Sequence, residues 1–149
     1  MSQEAPEIII LDDAFQHRAI KIGFSILLTD FSSPFYKDFM LPTGNLREFT
    51  VGKKRADIIV VTKCPDNLEE NKQKEIISKI RPENHQNVFF SKIKYGKLRS
   101  LWSSEILDFE SIENLLLVTG IANSKPLLKH LKKTNKDLIH LNYPDHHSF

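Results

Sequence analysis

Residues 8–11 of the chain read Ile-Ile-Ile-Leu, and Asp12 and Asp13 follow at once. Four consecutive aliphatic residues, three of them β-branched, predict a short strand buried on both faces of a parallel sheet, since such a run offers no polar side to water. No other feature constrains the fold as tightly. It predicts an α/β protein with a mostly parallel sheet flanked by helices. Open sheets of this class bind ligands just outside the carboxyl ends of their strands, which is where the acidic pair falls. Hard divalent ions that serve phosphates take one or two carboxylates and keep several waters. The segment therefore fits the Mg²⁺-holding Walker B strand of a P-loop phosphoryl-transfer protein. A strand that ends in a solvated acidic turn fits the same six residues.

The residues that follow narrow the choice. Asp12-Asp13-Ala14-Phe15-Gln16-His17-Arg18 resembles the Asp-Asp-Gly-Phe-Gln-His-Arg signature of the tetraacyldisaccharide 4'-kinases, the lipid A kinases. Further blocks resemble that family in the same order: Leu41-Pro42-Thr43-Gly44-Asn45-Leu46-Arg47-Glu48, then Lys54-Arg55-Ala56-Asp57 before an apolar run, then Thr119-Gly120-Ile121-Ala122, and finally Pro144-Asp145-His146-His147. Ala14 stands where the family has Gly, which predicts a backbone that avoids positive φ at that position.

The resemblance carries specific expectations. It implies ATP-dependent phosphorylation of the 4'-hydroxyl of a lipid A disaccharide 1-phosphate precursor, with Mg²⁺ as the ion. Asp12 and Asp13 would hold the metal, and Gln16 and His17 of the same signature would lie at the cofactor. Arg47 and Glu48 would order the substrate and phosphate side of the cleft. Asp145 and His146 would form an acid–base element in which the carboxylate orients and polarises the imidazole. An acylated substrate implies peripheral contact with the cytoplasmic face of the inner membrane. The family architecture implies the later part of a P-loop kinase-like core over residues 1–90, a β linker over 91–112, and the start of a second small α/β domain over 113–149.

Composition sets the outer limits. The chain has 149 residues, 40% hydrophobic and 27% charged, with a single cysteine and a net charge of +2. That length supports a real core, and the lone Cys64 excludes an internal disulfide. The small net charge gives no argument for nucleic acid. No apolar run reaches the roughly 20 residues a membrane-spanning helix needs, and residues 1–6 lack the features of a signal peptide. No Gly-x-x-x-x-Gly-Lys-Ser/Thr occurs among the five glycines. In the resembled family that phosphate-binding loop precedes the acidic strand. The chain is therefore expected to be an internal piece of a longer enzyme, inactive and weak in Mg-ATP binding by itself.

Along the chain, strands are expected at 24–30, 58–62, 87–90, 113–120 and 138–141, with helices at 68–80 and 125–133. Phe31, Phe35, Tyr36 and Phe39 suit core packing, with a lipid-facing patch as the other use. Lys53-Lys54-Arg55 reads as cations complementing a helix end. Thr62-Lys63-Cys64-Pro65-Asp66 looks like the base-reading segment of GTP-binding proteins with one residue too many. Residues 91–99 alternate basic and apolar side chains before Leu101-Trp102. That pattern suits a lysine-guarded edge ribbon or an anionic membrane surface. His140, His146 and His147 lack the spacing and the cysteine partners of a zinc site. Two other functions stay open: a GTPase-like P-loop protein that reads its base through Thr62 and Lys63, and a non-catalytic α/β interaction module.

Overall fold

The computed structural model describes residues 6–103, 105–133, 137–145 and 147. They fall into two compact units, Met1–Lys94 and Tyr95–Phe149. Each unit is α/β, as the apolar runs predict.

The first unit is built on three parallel strands in the order β1 (Ile26–Asp30), β2 (Ile58–Thr62) and β3 (Asn87–Phe90). Ile26 pairs with Ile58, and Ile58 with Asn87, so equivalent positions share a face across the sheet. Alternation along β2 sends Ile59 and Val61 into the core, at 0 and 1% exposure. There they meet Ile76 and Ile80 of the helix α1 (Glu70–Ile80). These four residues repeat at helical spacing on one element and at strand spacing on the other. Burying each is worth about 1.5–3 kcal/mol. Charged pairs line the wet side of α1, including Glu70–Lys74 and Glu75–Lys79. Arg81 closes the helix in the left-handed conformation, φ 50°, immediately before Pro82.

Phe31, Phe35 and Tyr36 pack against the same core, while Phe39 is exposed. Three of the four loop aromatics are thus used for packing. The opposite face of the sheet is apolar and open, with Ile26, Leu28 and Phe89 each about half exposed or more.

The strand expected at residues 8–11 is not formed. Ile8, Ile9 and Ile10 are 79, 74 and 87% exposed, and no ladder joins them to β1 among the described residues. Composition signals a strand that wants burial, but a strand exists only where a neighbour accepts its backbone groups. Neither β2 nor β3 is that neighbour, and β1 pairs on one side alone.

In the second unit, β4 (Leu98–Arg99) and β5 (Ile106–Leu107) form a minimal antiparallel ribbon. Between them Leu101 and Trp102 are 90 and 93% exposed. A parallel pair follows, β6 (Asn114–Thr119) and β7 (Asp137–Asn142), joined through α2 (Lys125–Leu131). Pro126 lies in the first turn of α2 and Lys129 and His130 in its last, the arrangement that relieves unpaired amides and complements the dipole.

Candidate functional site

The acidic pair sits in an irregular loop, residues 12–18, rather than on a strand. Asp13 takes φ 48°, a left-handed turn that Asp tolerates better than most side chains. Among the described residues Ala14 is not one with positive φ, in line with its replacing Gly. The His17 amide donates to the Ala14 carbonyl at 2.9 Å and closes the next turn. Asp12 and Asp13 are exposed, and with Ala14, Phe15 and Gln16 they wall a groove of about 420 Å³ beside residues 25–28. His17 and Arg18 face a second hollow of about 350 Å³, with Arg55 and Asp57.

Arg47 reaches this loop from the Pro-Thr-Gly-Asn turn. Asp38 organises that turn, its Oδ1 accepting from the amides of Phe39 at 2.8 Å and Asn45 at 3.2 Å. Those backbone donors hold the Asp38 carboxyl below its ordinary pKa. A Cβ at Gly44 would lie 2.3 Å from the Phe39 carbonyl oxygen, so the turn admits only glycine there. Leu46 then bridges back to Met40, and Arg47 Nη1 lies 3.0 Å from Asp13 Oδ2. Two blocks of the sequence, 34 residues apart, thereby meet on one surface.

Glu48 is half-buried and doubly paired. It accepts from Arg55 Nη2 at 2.7 Å and from Arg18 Nη2 at 3.0 Å. The hydrogen bond from Arg55 leads in pulling its pKa down, burial opposes it, and Arg18 adds to the lowering. Its carboxylate is committed to holding two arginines.

Arg55 has a use that reading it as a helix-end cation missed. Its Nη2 also donates to the Phe15 carbonyl at 3.0 Å, and the guanidinium carbon lies 4.6 Å from the centroid of the Phe15 ring. No local pattern links positions 15 and 55, so the sequence carried no signal of it. The helix-end reading holds for Lys53, whose ammonium binds the Arg81 carbonyl at the end of α1.

Two adjacent exposed carboxylates beside an open groove fit a Mg²⁺ ion that keeps most of its waters. Among the described residues no group of three or more His, Cys, Asp or Glu gathers into a fuller metal site. The segment that resembles a base reader is paired internally. Lys63 Nζ lies 2.8 Å from Asp30 Oδ2, and Lys92 Nζ lies 3.0 Å from Asp66 Oδ1.

The second unit carries the other candidate element, at the carboxyl ends of β6 and β7. Thr119, 6% exposed, donates its one hydroxyl hydrogen to Asn142 Oδ1 at 3.0 Å. Its oxygen lies 2.8 Å from His140 Nε2, which must then be the protonated nitrogen. Ser124 Oγ donates to the same Asn142 oxygen at 3.2 Å, and the Tyr143 amide donates to the Thr119 carbonyl at 2.8 Å. Asp145 lies just beyond, exposed, in a turn closed by the His147 amide on the Pro144 carbonyl at 3.2 Å. The His147 ring stacks on Tyr143 with centroids 4.5 Å apart. His146 lies outside the described residues.

Comparison with known proteins adds a separate line of support. The family model described as tetraacyldisaccharide-1-P 4'-kinase matches residues 1–149. A tetraacyldisaccharide 4'-kinase of Flavobacterium johnsoniae is 48% identical over 149 residues, covering 97% of this chain and 42% of the relative. Its namesake in Flavobacterium psychrophilum is 46% identical, with 97% and 42% covered. The one in Bacteroides thetaiotaomicron is 40% identical, with 96% and 40% covered. The chain thus spans about two fifths of the length of these curated relatives. No solved structure matches it significantly.

Proposed function

The chain belongs to the tetraacyldisaccharide-1-phosphate 4'-kinase family, and from that premise we propose that its protein transfers the γ-phosphate of ATP to the 4'-hydroxyl of a lipid A disaccharide 1-phosphate precursor. The observation that carries the proposal is the 3.0 Å contact between Arg47 and Asp13, which joins two family motifs on one groove-bearing surface.

Phosphoryl transfer asks a protein for alignment and charge stabilisation more than for covalent chemistry. Asp12 and Asp13 would hold Mg²⁺, which when bound offsets the charge on the phosphate oxygens. Gln16 and His17, on the same loop, face the groove and the hollow where nucleotide phosphates would lie. Arg47 carries a planar fork that suits a phosphate. Glu48 keeps two further guanidiniums in place beside it. In the second unit Asp145 would orient His146, which takes part in removing the proton from the attacking hydroxyl.

An acylated substrate calls for peripheral contact with the cytoplasmic face of the inner membrane. Among the described residues no helix is long and apolar enough to cross a membrane, and the exposed Leu101 and Trp102 supply apolar surface of the kind such contact uses. The phosphate-cradling loop is not among the 149 residues, so the chain by itself should bind Mg-ATP weakly or not at all. The division into a nucleotide-binding core at 1–90, a linker at 91–112 and a second domain from 113 belongs to the same proposal.

A chimera tests the reading. Residues 1–149 replace the matching stretch of the Flavobacterium johnsoniae relative, and transfer of labelled phosphate from ATP to the tetraacyldisaccharide 1-phosphate is measured. Transfer within about tenfold of the unaltered relative, or about 1.4 kcal/mol, is expected. A folded chimera with no transfer overturns the proposal.

A further inference from the structure

We propose that Arg55 is a positioning residue for the acidic loop: it clasps residues 12–18 against the body of the first unit and so sets where Asp12 and Asp13 present their carboxylates. This rests on the reading of those two residues as the Mg²⁺ ligands.

The need for a clasp follows from the fold. Residues 8–11 join no sheet, so the loop after them has no ladder to fix it. Among the described residues its polar tethers to the rest of the unit run through Arg47, Glu48 and Arg55. They are the Asp13–Arg47 pair, the Arg18–Glu48 pair and the bond from Arg55 to the Phe15 carbonyl. The first joins two well-exposed side chains, Arg47 at 61% and Asp13 at 72%, and the second hangs on a well-exposed Arg18, at 70%, although its partner Glu48 is at 19%. Exposed pairs of that kind hold weakly.

Arg55 differs on three counts. Its side chain is only 36% exposed. It engages the backbone of the loop as well as the ring of Phe15, which itself packs against the core. Its partner Glu48, at 19% exposure, is the same carboxylate that holds Arg18. One guanidinium therefore ties the loop at position 15 directly and at position 18 through Glu48.

Gly52 completes the device. It is buried within the 3₁₀ turn Thr50–Arg55, and a Cβ there would come within 2.7–2.9 Å of the Glu48 carboxyl group. In that turn the Glu48 carboxyl group stands where a side chain at position 52 would begin. Gly52→Ala must therefore displace the Glu48 carboxyl group, the end of a flexible side chain, from the place where it meets its two arginines.

The decisive substitution is Arg55→Lys. Lysine keeps the charge and the attraction to the Phe15 ring, but it is shorter and lacks the flat guanidinium, whose Nη2 serves Glu48 and the Phe15 carbonyl together while its carbon lies over the ring. Arg55→Ala is less telling, because removing a positive charge favours a cation at Asp12 and Asp13 while a loosened loop disfavours it. The full 149-residue chain is examined by ¹⁵N relaxation, and Mn²⁺ is titrated as the metal probe.

In the unchanged chain the amides of residues 14–17 should match the sheet, with order parameters near 0.85. In Arg55→Lys and in Gly52→Ala they should fall below about 0.6 while β1, β2 and β3 keep theirs, and the Mn²⁺ dissociation constant should rise at least fivefold. Unchanged loop order in both variants overturns the clasp. So does equal loosening of loop and sheet, which would make Arg55 a general support of the fold. Mn²⁺ affinity unaltered by a loosened loop overturns the positioning role. An unchanged chain that shows no Mn²⁺-induced relaxation at residues 12–14 removes the metal reading instead, and the order parameters still decide the clasp.

Discussion

Arg47 Nη1 and Asp13 Oδ2 lie 3.0 Å apart, so the residue suited to grip a phosphate is paired with the one suited to hold the metal. The pair is exposed on both sides, 61 and 72%, and is worth at most about 1 kcal/mol. On the proposed reading, an ion held by Asp13 would compete with Arg47 for that oxygen and leave the guanidinium available to a phosphate.

Competition predicts an increase, not a loss, when Arg47 is removed. Arg47→Ala should tighten Mn²⁺ binding by the isolated chain up to about fivefold, the equivalent of at most about 1 kcal/mol. Thermal stability should barely move. Relaxation enhancement of water protons on titration with Mn²⁺ measures the affinity, and weaker binding in the variant would show that Arg47 supports the site instead of competing for it.

Asp30 and Lys63 predict the acid behaviour of the first unit. Burial would raise the Asp30 carboxyl, but hydrogen bonds from Lys63 and Ser32, with the Lys63 charge, outweigh it and bring the pKa from 3.8 down to about 2. A depressed carboxylate contributes stability above its unfolded pKa, and that contribution drains away as pH falls through the folded value. The window is therefore from about pH 4 down to about pH 2. Lys63 is half exposed, so screening leaves on the order of 1–2 kcal/mol. Asp30→Asn should flatten the dependence of urea-unfolding free energy on pH across that window. An acid slope equal to that of the unchanged chain would assign the effect to other carboxylates.

Which of these relationships could be read from the sequence depends on distance along the chain. Strands β1, β2, β3, β6 and β7 and helices α1 and α2 announce themselves through local periodicity, because burial of alternate or every third and fourth residue is a local pattern. The same logic predicted a strand at 8–11 and overreached there, since periodicity reports a demand for burial and not the neighbour that meets it. At the site, the turn that aims Arg47 was legible in its Pro-Thr-Gly-Asn string. The Arg55–Glu48–Phe15 assembly was not, because each member is an ordinary surface residue until the fold closes a separation of up to 40 residues. The use of Lys53, Lys54 and Arg55 likewise divided only in three dimensions: Lys53 on the Arg81 carbonyl, Lys54 on Glu83 and Arg55 on the loop.

Thr119 should prove the least replaceable polar residue of the second unit. Valine has the same shape but strips a donor from the exposed Asn142, which keeps Ser124, and leaves the half-buried His140 without this acceptor beside the buried position 119. An unmet group of that kind costs about 1–3 kcal/mol. Amides of β6 and β7 should then exchange roughly tenfold faster or more in Thr119→Val, at about 1.4 kcal/mol for each factor of ten. Thr119→Ser should restore protection. If serine fares no better than valine, the methyl group and not the hydroxyl is what matters.

The two histidines at the end of the chain should separate cleanly. Asp145 lies in a turn, and the His147 amide donates to the Pro144 carbonyl at 3.2 Å. The distinction rests on the His147 ring, which lies flat against Tyr143 at 4.5 Å and 17°. A ring held that way braces the turn that carries Asp145. Removing it should loosen the turn without deleting a proton acceptor. In the chimera with the Flavobacterium johnsoniae relative, His147→Ala should change kcat only a few-fold, a rough bound for a residue outside the proton path. His146→Ala should lower kcat by about 10²–10⁴ with little change in KM, the signature of lost general-base assistance. Steady-state rates at varied lipid concentration, with ATP saturating, separate kcat from KM. Equal losses from the two substitutions, or a larger one at His147, would place the proton transfer on the stacked ring and overturn the assignment to His146.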